Sequence, residues 1–181
     1  MGTVFSIVIG VIGSLIATWI YGIISQYPTY RSLKRDKIIK NAFHYYWYDS
    51  QTIRKSTRPE LRHAIVKIYR NCFGLLSIYQ KEVRKAEGNF ARYDYKGKVL
   101  VTENQLHLWK IGINHREIGY TILDRPLNIG DILYGITLVT SNDSRKEPIA
   151  MRCIMSPNEL KDEYARVILQ TNKFVSLPRR S

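Results

Sequence analysis

No Asp, Glu, Lys or Arg occurs between Met1 and Tyr30, and from about Val4 to Ile24 the chain is dominated by Val, Ile, Leu, Ala and Gly. A helix of that stretch, at about 1.5 Å rise per residue, measures roughly 30 Å, the thickness of a bilayer's hydrocarbon core. The segment is therefore predicted as a membrane span. A signal peptide would begin with positive charge, and Met1-Gly2-Thr3-Val4-Phe5 supplies none. A buried core helix is usually shorter and seldom so free of charge.

The basic cluster that follows, Arg31, Lys34, Arg35, Lys37 and Lys40, is opposed only by Asp36. Positive residues stay on the cytoplasmic side, so the expected topology is N-terminus out and C-terminal domain in. The same cluster suits anionic headgroups, which makes membrane lipid an expected partner. Within the span, small residues recur every four positions at Ser6, Gly10, Ser14, Thr18 and Gly22. Lipid gives no hydrophobic reward for helix pairing, so close approach through such a groove is a main source of attraction, and a homo-oligomer is expected. Trp19, Tyr21, Tyr27 and Tyr30 gather near the inner end, where amphipathic rings favour the interface.

The sequence divides into an anchor at 1–30, a basic juxtamembrane linker at 31–41 and a cytoplasmic domain at 42–181. Residues beyond the anchor carry all of the formal +13 charge, an imbalance that favours phosphate-bearing partners. Cys72 and Cys153 sit in apolar neighbourhoods without ligand spacing and read as two buried, reduced small hydrophobes.

From Phe43 onward the chain becomes aromatic and β-branched. Candidate strands are Phe43 to Tyr48, Leu61 to Arg70, Leu75 to Val83, Phe90 to Tyr95, Lys98 to Thr102, Gln105 to Ile111, Glu117 to Leu123, Ile132 to Thr140 and Pro148 to Met155. Turn-like separators stand between them, among them Thr57-Arg58-Pro59-Glu60, Glu87-Gly88-Asn89, Lys96-Gly97, Glu103-Asn104, Gly112-Ile113-Asn114, Asn128-Ile129-Gly130 and Ser141-Asn142-Asp143-Ser144. Short strands joined by tight turns pair antiparallel. The expected fold is an up-and-down β-barrel of about eight strands, which also removes exposed edges.

A helix near 157–170 is expected to close the domain. Ser156-Pro157-Asn158-Glu159 has the pattern of a capping box, and Leu160, Tyr164, Val167 and Ile168 form a stripe at helical spacing.

No catalytic constellation can be assembled. His44, His63, His107 and His115 have no metal-ligand spacing, and there is no phosphate-cradling loop or nucleophile elbow. The chain reads as a binding protein rather than an enzyme, with no metal or cofactor expected. Its positive signal is aromatic and cationic side chains interleaved on strands. Tyr46, Lys67, Tyr69, Arg92, Tyr95, Trp109, Tyr134 and Arg152 are the candidate ligand residues, suited to stacking a base and pairing a phosphate in the mouth or lumen of a barrel. The same residue types also fill and coat barrels with no ligand.

An anchor followed by a compact barrel resembles the membrane effectors of bacterial cyclic-oligonucleotide (CBASS-type) anti-phage signalling whose sensor is a minimal β-barrel. Those effectors usually have two membrane helices, and this chain shows one. The run Asp131-Ile132-Leu133-Tyr134-Gly135-Ile136, the turn Ser141 to Glu147 and Pro148-Ile149-Ala150-Met151-Arg152 are similar to the last hairpin of such barrels. The resemblance implies a cyclic or linear nucleotide second messenger as partner, location in a bacterial inner membrane, and assembly of the anchor helices that disrupts or permeabilises that membrane; no stable nucleic-acid duplex is expected. Three other readings stand beside it: a single-pass scaffold presenting the barrel to a protein partner, a barrel for an apolar ligand, and a tethered nucleic-acid binder.

Overall fold

The computed structural model describes residues 2–35, 38–39, 41–49, 52, 59–83, 94–113, 117–125, 131–140 and 148–170. Arg92, His115, the three basic-cluster neighbours at positions 36, 37 and 40, and the basic tail lie outside them.

Helix α1 runs over Gly2–Arg35, so it passes through Pro28 and beyond the expected end of the anchor at residue 30. Proline removes one helical hydrogen bond and usually ends or kinks a helix. Here the last turns are instead held by the barrel, where Leu33 is fully buried and Tyr30 packs against the core. The apolar window of α1 is long enough to cross a membrane, and none of it is buried against the rest of the protein.

Eight strands follow: β1 (Ala42–Tyr48), β2 (Leu61–Arg70), β3 (Leu76–Glu82), β4 (Tyr95–Val101), β5 (Gln105–Gly112), β6 (Ile118–Asp124), β7 (Leu133–Thr140) and β8 (Pro148–Ser156). Each pairs antiparallel with its sequence neighbour, and β1 pairs with β8 to close the barrel. The expected up-and-down barrel is the observed one. Its register follows the hydrophobic alternation: Tyr45 faces Ala64 and Met155, and Trp47 faces Arg62 and Cys153, all on the buried inner side.

The expected turn at Lys96-Gly97 lies within β4 instead. A Cβ at residue 97 would run into the Trp109 carbonyl, and one at Gly135 into the Ile122 carbonyl. Both glycines thus let neighbouring backbone approach a strongly bent wall, where a side chain would force the strands apart. The strand expected from Phe90 to Tyr95 has only Tyr95 in β4; Asp94 precedes it, and residues 90–93 are outside the described part.

Helix α2 is Asp162–Gln170, shorter than expected. Ser156 ends β8, and its hydroxyl accepts the Asn158 N–H at 3.2 Å, so the serine caps a turn rather than the helix. The helix buries Ala165 and Leu169 with Ile168 half-buried, whereas Tyr164 and Val167 of the expected stripe face outward. It lies on the outer wall against β8. Leu33, Ile38 and Ile39 belong to the core cluster, so the segment expected as a linker helps to close the barrel end beneath α1.

Candidate functional site

The strand period of two divides the aromatic and cationic residues between an inside and an outside. Inside, the described charged and aromatic side chains are buried against partners. Arg62 donates to Glu82 Oε1 at 2.6 Å and to Asp49 Oδ1 at 3.0 Å. Burial works against the Arg62 charge, but Glu82 and Asp49 outweigh it and hold the guanidinium more firmly protonated than in water. Lys110 donates to Gln80 Oε1 at 3.1 Å and stands 4.5 Å from the Tyr45 ring centre and 5.7 Å from that of Tyr95. Burial lowers its pKa to about 8, although Cys153 and Glu117 pull the other way. Tyr95 donates to Glu117 Oε2 at 2.6 Å, and burial together with that carboxylate raises its pKa well above the phenol range. Thr121 and Thr137 share a 2.8 Å hydroxyl bond next to Tyr45.

The space left beside Lys110, Tyr45, Trp47 and Tyr95 is about 10 Å³, room for one water at most. Around Lys110 the lumen, which with the barrel mouth was the place expected for a nucleotide, is occupied by the protein's own side chains. Cys153 is buried there as expected, its thiol raised to about 11 by burial, whereas Cys72 is exposed in the β2–β3 turn.

The predicted ligand residues disperse over this architecture. Tyr95 points inward. Tyr46 is buried on the outer wall beneath the lead-in to α2, where its hydroxyl takes the Leu160 N–H at 2.8 Å and donates to the Leu160 carbonyl at 3.2 Å. Lys67 and Tyr69 are exposed on the outside of β2, Tyr134 is half-exposed outside β7, and Arg152 is half-buried outside β8. Arg92 is outside the described residues. Among the described residues of the set, Trp109 lines a hollow of ligand size.

That hollow, about 460 Å³, lies between α1 and the outer wall and is lined by Gln26, Leu75, Leu76, Lys98, Val99, Leu100, His107, Trp109 and Tyr120. Its volume falls in the range of small-molecule sites. Register makes the floor: Lys98 pairs with Trp109, and Trp109 with Tyr120, so a cation and two rings stand side by side on β4, β5 and β6. The Trp109 and Tyr120 rings are 5.4 Å apart at 58°, and the Tyr120 hydroxyl lies 2.7 Å from His107 Nδ1. Trp109 is 53 % exposed. Sequence reasoning missed Lys98, His107 and Tyr120. The signal was in the turns, because folding the chain about Glu103-Asn104 already sets Lys98 opposite Trp109.

A more open hollow of about 610 Å³ runs along α1 between Tyr27, Pro28, Arg31, Ser32 and Arg35. On the opposite wall, His44, His63 and Glu159 bring ligating atoms within 4.8 Å of one another, a grouping that linear spacing did not reveal. His44 Nδ1 and His63 Nε2 are 2.9 Å apart, with ring centres 5.1 Å apart at 25°. The rings thus meet nearly edge to edge, each nitrogen aimed at the other rather than at a shared third point. Glu159 lies on the far nitrogen of His63, at 4.0 Å. The group is built as an N–H···N hydrogen bond, with Tyr46 stacked on His63 at 4.5 Å.

No family model, no curated protein and no solved structure matches the chain.

Proposed function

We propose that this protein is a membrane-anchored sensor whose barrel takes a ligand combining a flat ring with a phosphate, and passes the binding event to its anchor helix. One observation carries the reading: the 460 Å³ hollow is walled on one side by the rings and cation of β4–β6 and on the other by Gln26 of α1. A ligand there touches barrel and anchor together. Trp109 and Tyr120 would stack the ring, Lys98 would meet the phosphate, and His107 holds the Tyr120 hydroxyl in place. A nucleotide second messenger has this chemistry, and it is the ligand that the resemblance to anti-phage membrane effectors implies.

The output in this reading is a changed association of α1. Ser6, Gly10, Ser14 and Thr18 lie along its exposed part, with nothing within 4 Å of where a Cβ at Gly10 would stand. They leave room for a second helix. The ligand drives assembly only to the extent that it binds the assembled state more tightly than the resting one.

A second reading, the single-pass scaffold, is favoured by the occupied lumen around Lys110 and by the dispersal of the predicted ligand residues. One experiment separates the two: thermal melting of the full chain in lipid nanodiscs against linear and cyclic nucleotides, with Trp109→Ala and Lys98→Ala alongside. A titratable rise for one compound, lost in both variants, supports the sensor. A rise with anionic lipid alone makes the hollow a headgroup site. No rise with either makes the barrel a scaffold.

A further inference from the structure

The β2–β3 hairpin tip, Asn71-Cys72-Phe73-Gly74-Leu75, is pressed against α1 in the last turns of its apolar stretch. The Trp19 indole N–H donates to the Cys72 carbonyl at 2.8 Å, and Arg70 Nη2 donates to the Ile23 carbonyl at 2.6 Å. Gly22 faces the Phe73 carbonyl, and Gly74, with φ of 78°, leaves no room for a Cβ, which would stand 2.7 Å from the Ile23 side chain. Trp19 and Ile23 precede Arg31, the first charged residue, by twelve and eight positions. In a helix those intervals are about 18 and 12 Å, so the tip stands before the level where the charge of α1 itself begins, with Arg70 the cation held beside it.

Most of the tip's backbone polar groups are bonded within the protein. Asn71 N–H bonds the Leu75 carbonyl at 3.0 Å, Gly74 N–H bonds the Asn71 carbonyl at 3.0 Å, and Asn71 Oδ1 accepts both the Phe73 and Leu75 N–H groups at 3.0 Å. The Gly74 carbonyl takes Arg70 Nε at 2.8 Å. Backbone left outside regular structure is tolerated at membrane depth only when its polar groups are satisfied by the protein. Yet the side chains are apolar and open: Phe73 is 64 % exposed, with Leu75 beside it.

The next turn at the same barrel end behaves otherwise. It carries Glu103, and Arg125 ties it to Ser32 by bonding the Glu103 carbonyl and the Ser32 hydroxyl. Ser32 is nine residues beyond Ile23, about 14 Å further along the helix.

We propose that the β2–β3 tip is a second membrane contact, a wedge that sinks Phe73 into the lipid beside α1 and fixes the barrel's tilt against the bilayer. The proposal rests on α1 crossing the membrane but not on any ligand. Arg70 is the positioning residue, bonding both the tip and the span and standing 5.2 Å from the Tyr30 ring centre.

The test is quenching depth. Full-length protein carrying Cys72→Ser and one further cysteine, Ile12→Cys, Phe73→Cys or Asn104→Cys, is labelled with an environment-sensitive fluorophore. It is placed in phosphatidylcholine and phosphatidylglycerol vesicles holding nitroxide-labelled acyl chains. Quenching at 12 and 73 with none at 104 is the expected result. Quenching at 12 but not at 73 leaves the span standing and overturns the wedge. No quenching at 12 overturns the membrane reading itself, and the wedge with it. Quenching at 104 as strongly as at 73 would show the whole barrel end lying on lipid, with no special role for this hairpin.

Discussion

The inside and the outside of this barrel are made from the same kinds of residue and hold them in opposite ways. Tyr45, Tyr95 and Lys110 inside are buried and paired: the lysine against a glutamine and two rings, Tyr95 against a carboxylate. Trp109, Tyr134 and Lys98 outside keep much of their surface open. Aromatic and cationic residues are thus the filling of the lumen and, one position along the strand, the floor of a hollow. Composition cannot distinguish the two uses. Orientation can, and orientation is a matter of odd and even positions in register.

The sharpest break of that contrast is at Arg62. Arg62→Ala leaves Glu82 buried without its guanidinium, which should cost about 3–5 kcal/mol in denaturant unfolding of the full chain in detergent. A loss below 1 kcal/mol, taken as roughly the ceiling for an exposed pair, would mean that water reaches the lumen.

Lys110 tests the same region by pH. Its folded pKa of about 8 lies below the ordinary lysine value near 10.4, so between those values the unfolded chain holds a proton that the barrel has released. Stability from Lys110 therefore rises with pH across that window. Cys153, raised to about 11, keeps its proton longer than an unfolded thiol and works in the opposite direction. Lys110→Met removes the gain and keeps the loss. Its stability relative to the unmodified protein should fall by about 1–3 kcal/mol between pH 8 and pH 10. A difference independent of pH would show the lysine titrating as in water.

Tyr46→Phe tests the covered part of the outer wall. Losing the hydroxyl that holds both Leu160 backbone groups should cost about 1–2 kcal/mol and speed amide exchange in α2 before the strands. The smallest effect belongs to the open outer wall. Trp109→Ala and Tyr134→Ala should each change stability by less than about 0.5 kcal/mol, but only the first should alter ligand-induced melting shifts. Equal loss of response in both variants would move the site to β7.

Much of the fold was legible because strand alternation is a local signal. The bounds read from the sequence for Leu61 to Arg70 are those of β2, since Ala64, Val66 and Ile68 recur at a spacing of two between turns. The failures came where a local pattern met a tertiary competitor. Lys96-Gly97 looks like a turn, but here the glycine is what lets β5 pass close to β4. Ser156-Pro157-Asn158-Glu159 looks like a helix start, but Tyr46, more than a hundred residues earlier in the chain, captures Leu160 and delays the helix to Asp162. Gly22, one of the small residues expected on a pairing face, also stands against the Phe73 carbonyl, a neighbour that the spacing did not reveal.

The sequence by itself determined a charge-free helix long enough for a bilayer, a run of alternating strands able to close on themselves, and a helix after them. Those features depend on hydrophobicity and period along a short window, and neither needs a distant partner. Only the tertiary structure decided which aromatic residues pack the lumen, that Lys98, Trp109 and Tyr120 share one hollow, and that a hairpin tip rises beside Trp19. These depend on strand register and on where the barrel docks against α1, and both are set by contacts between residues far apart in the chain.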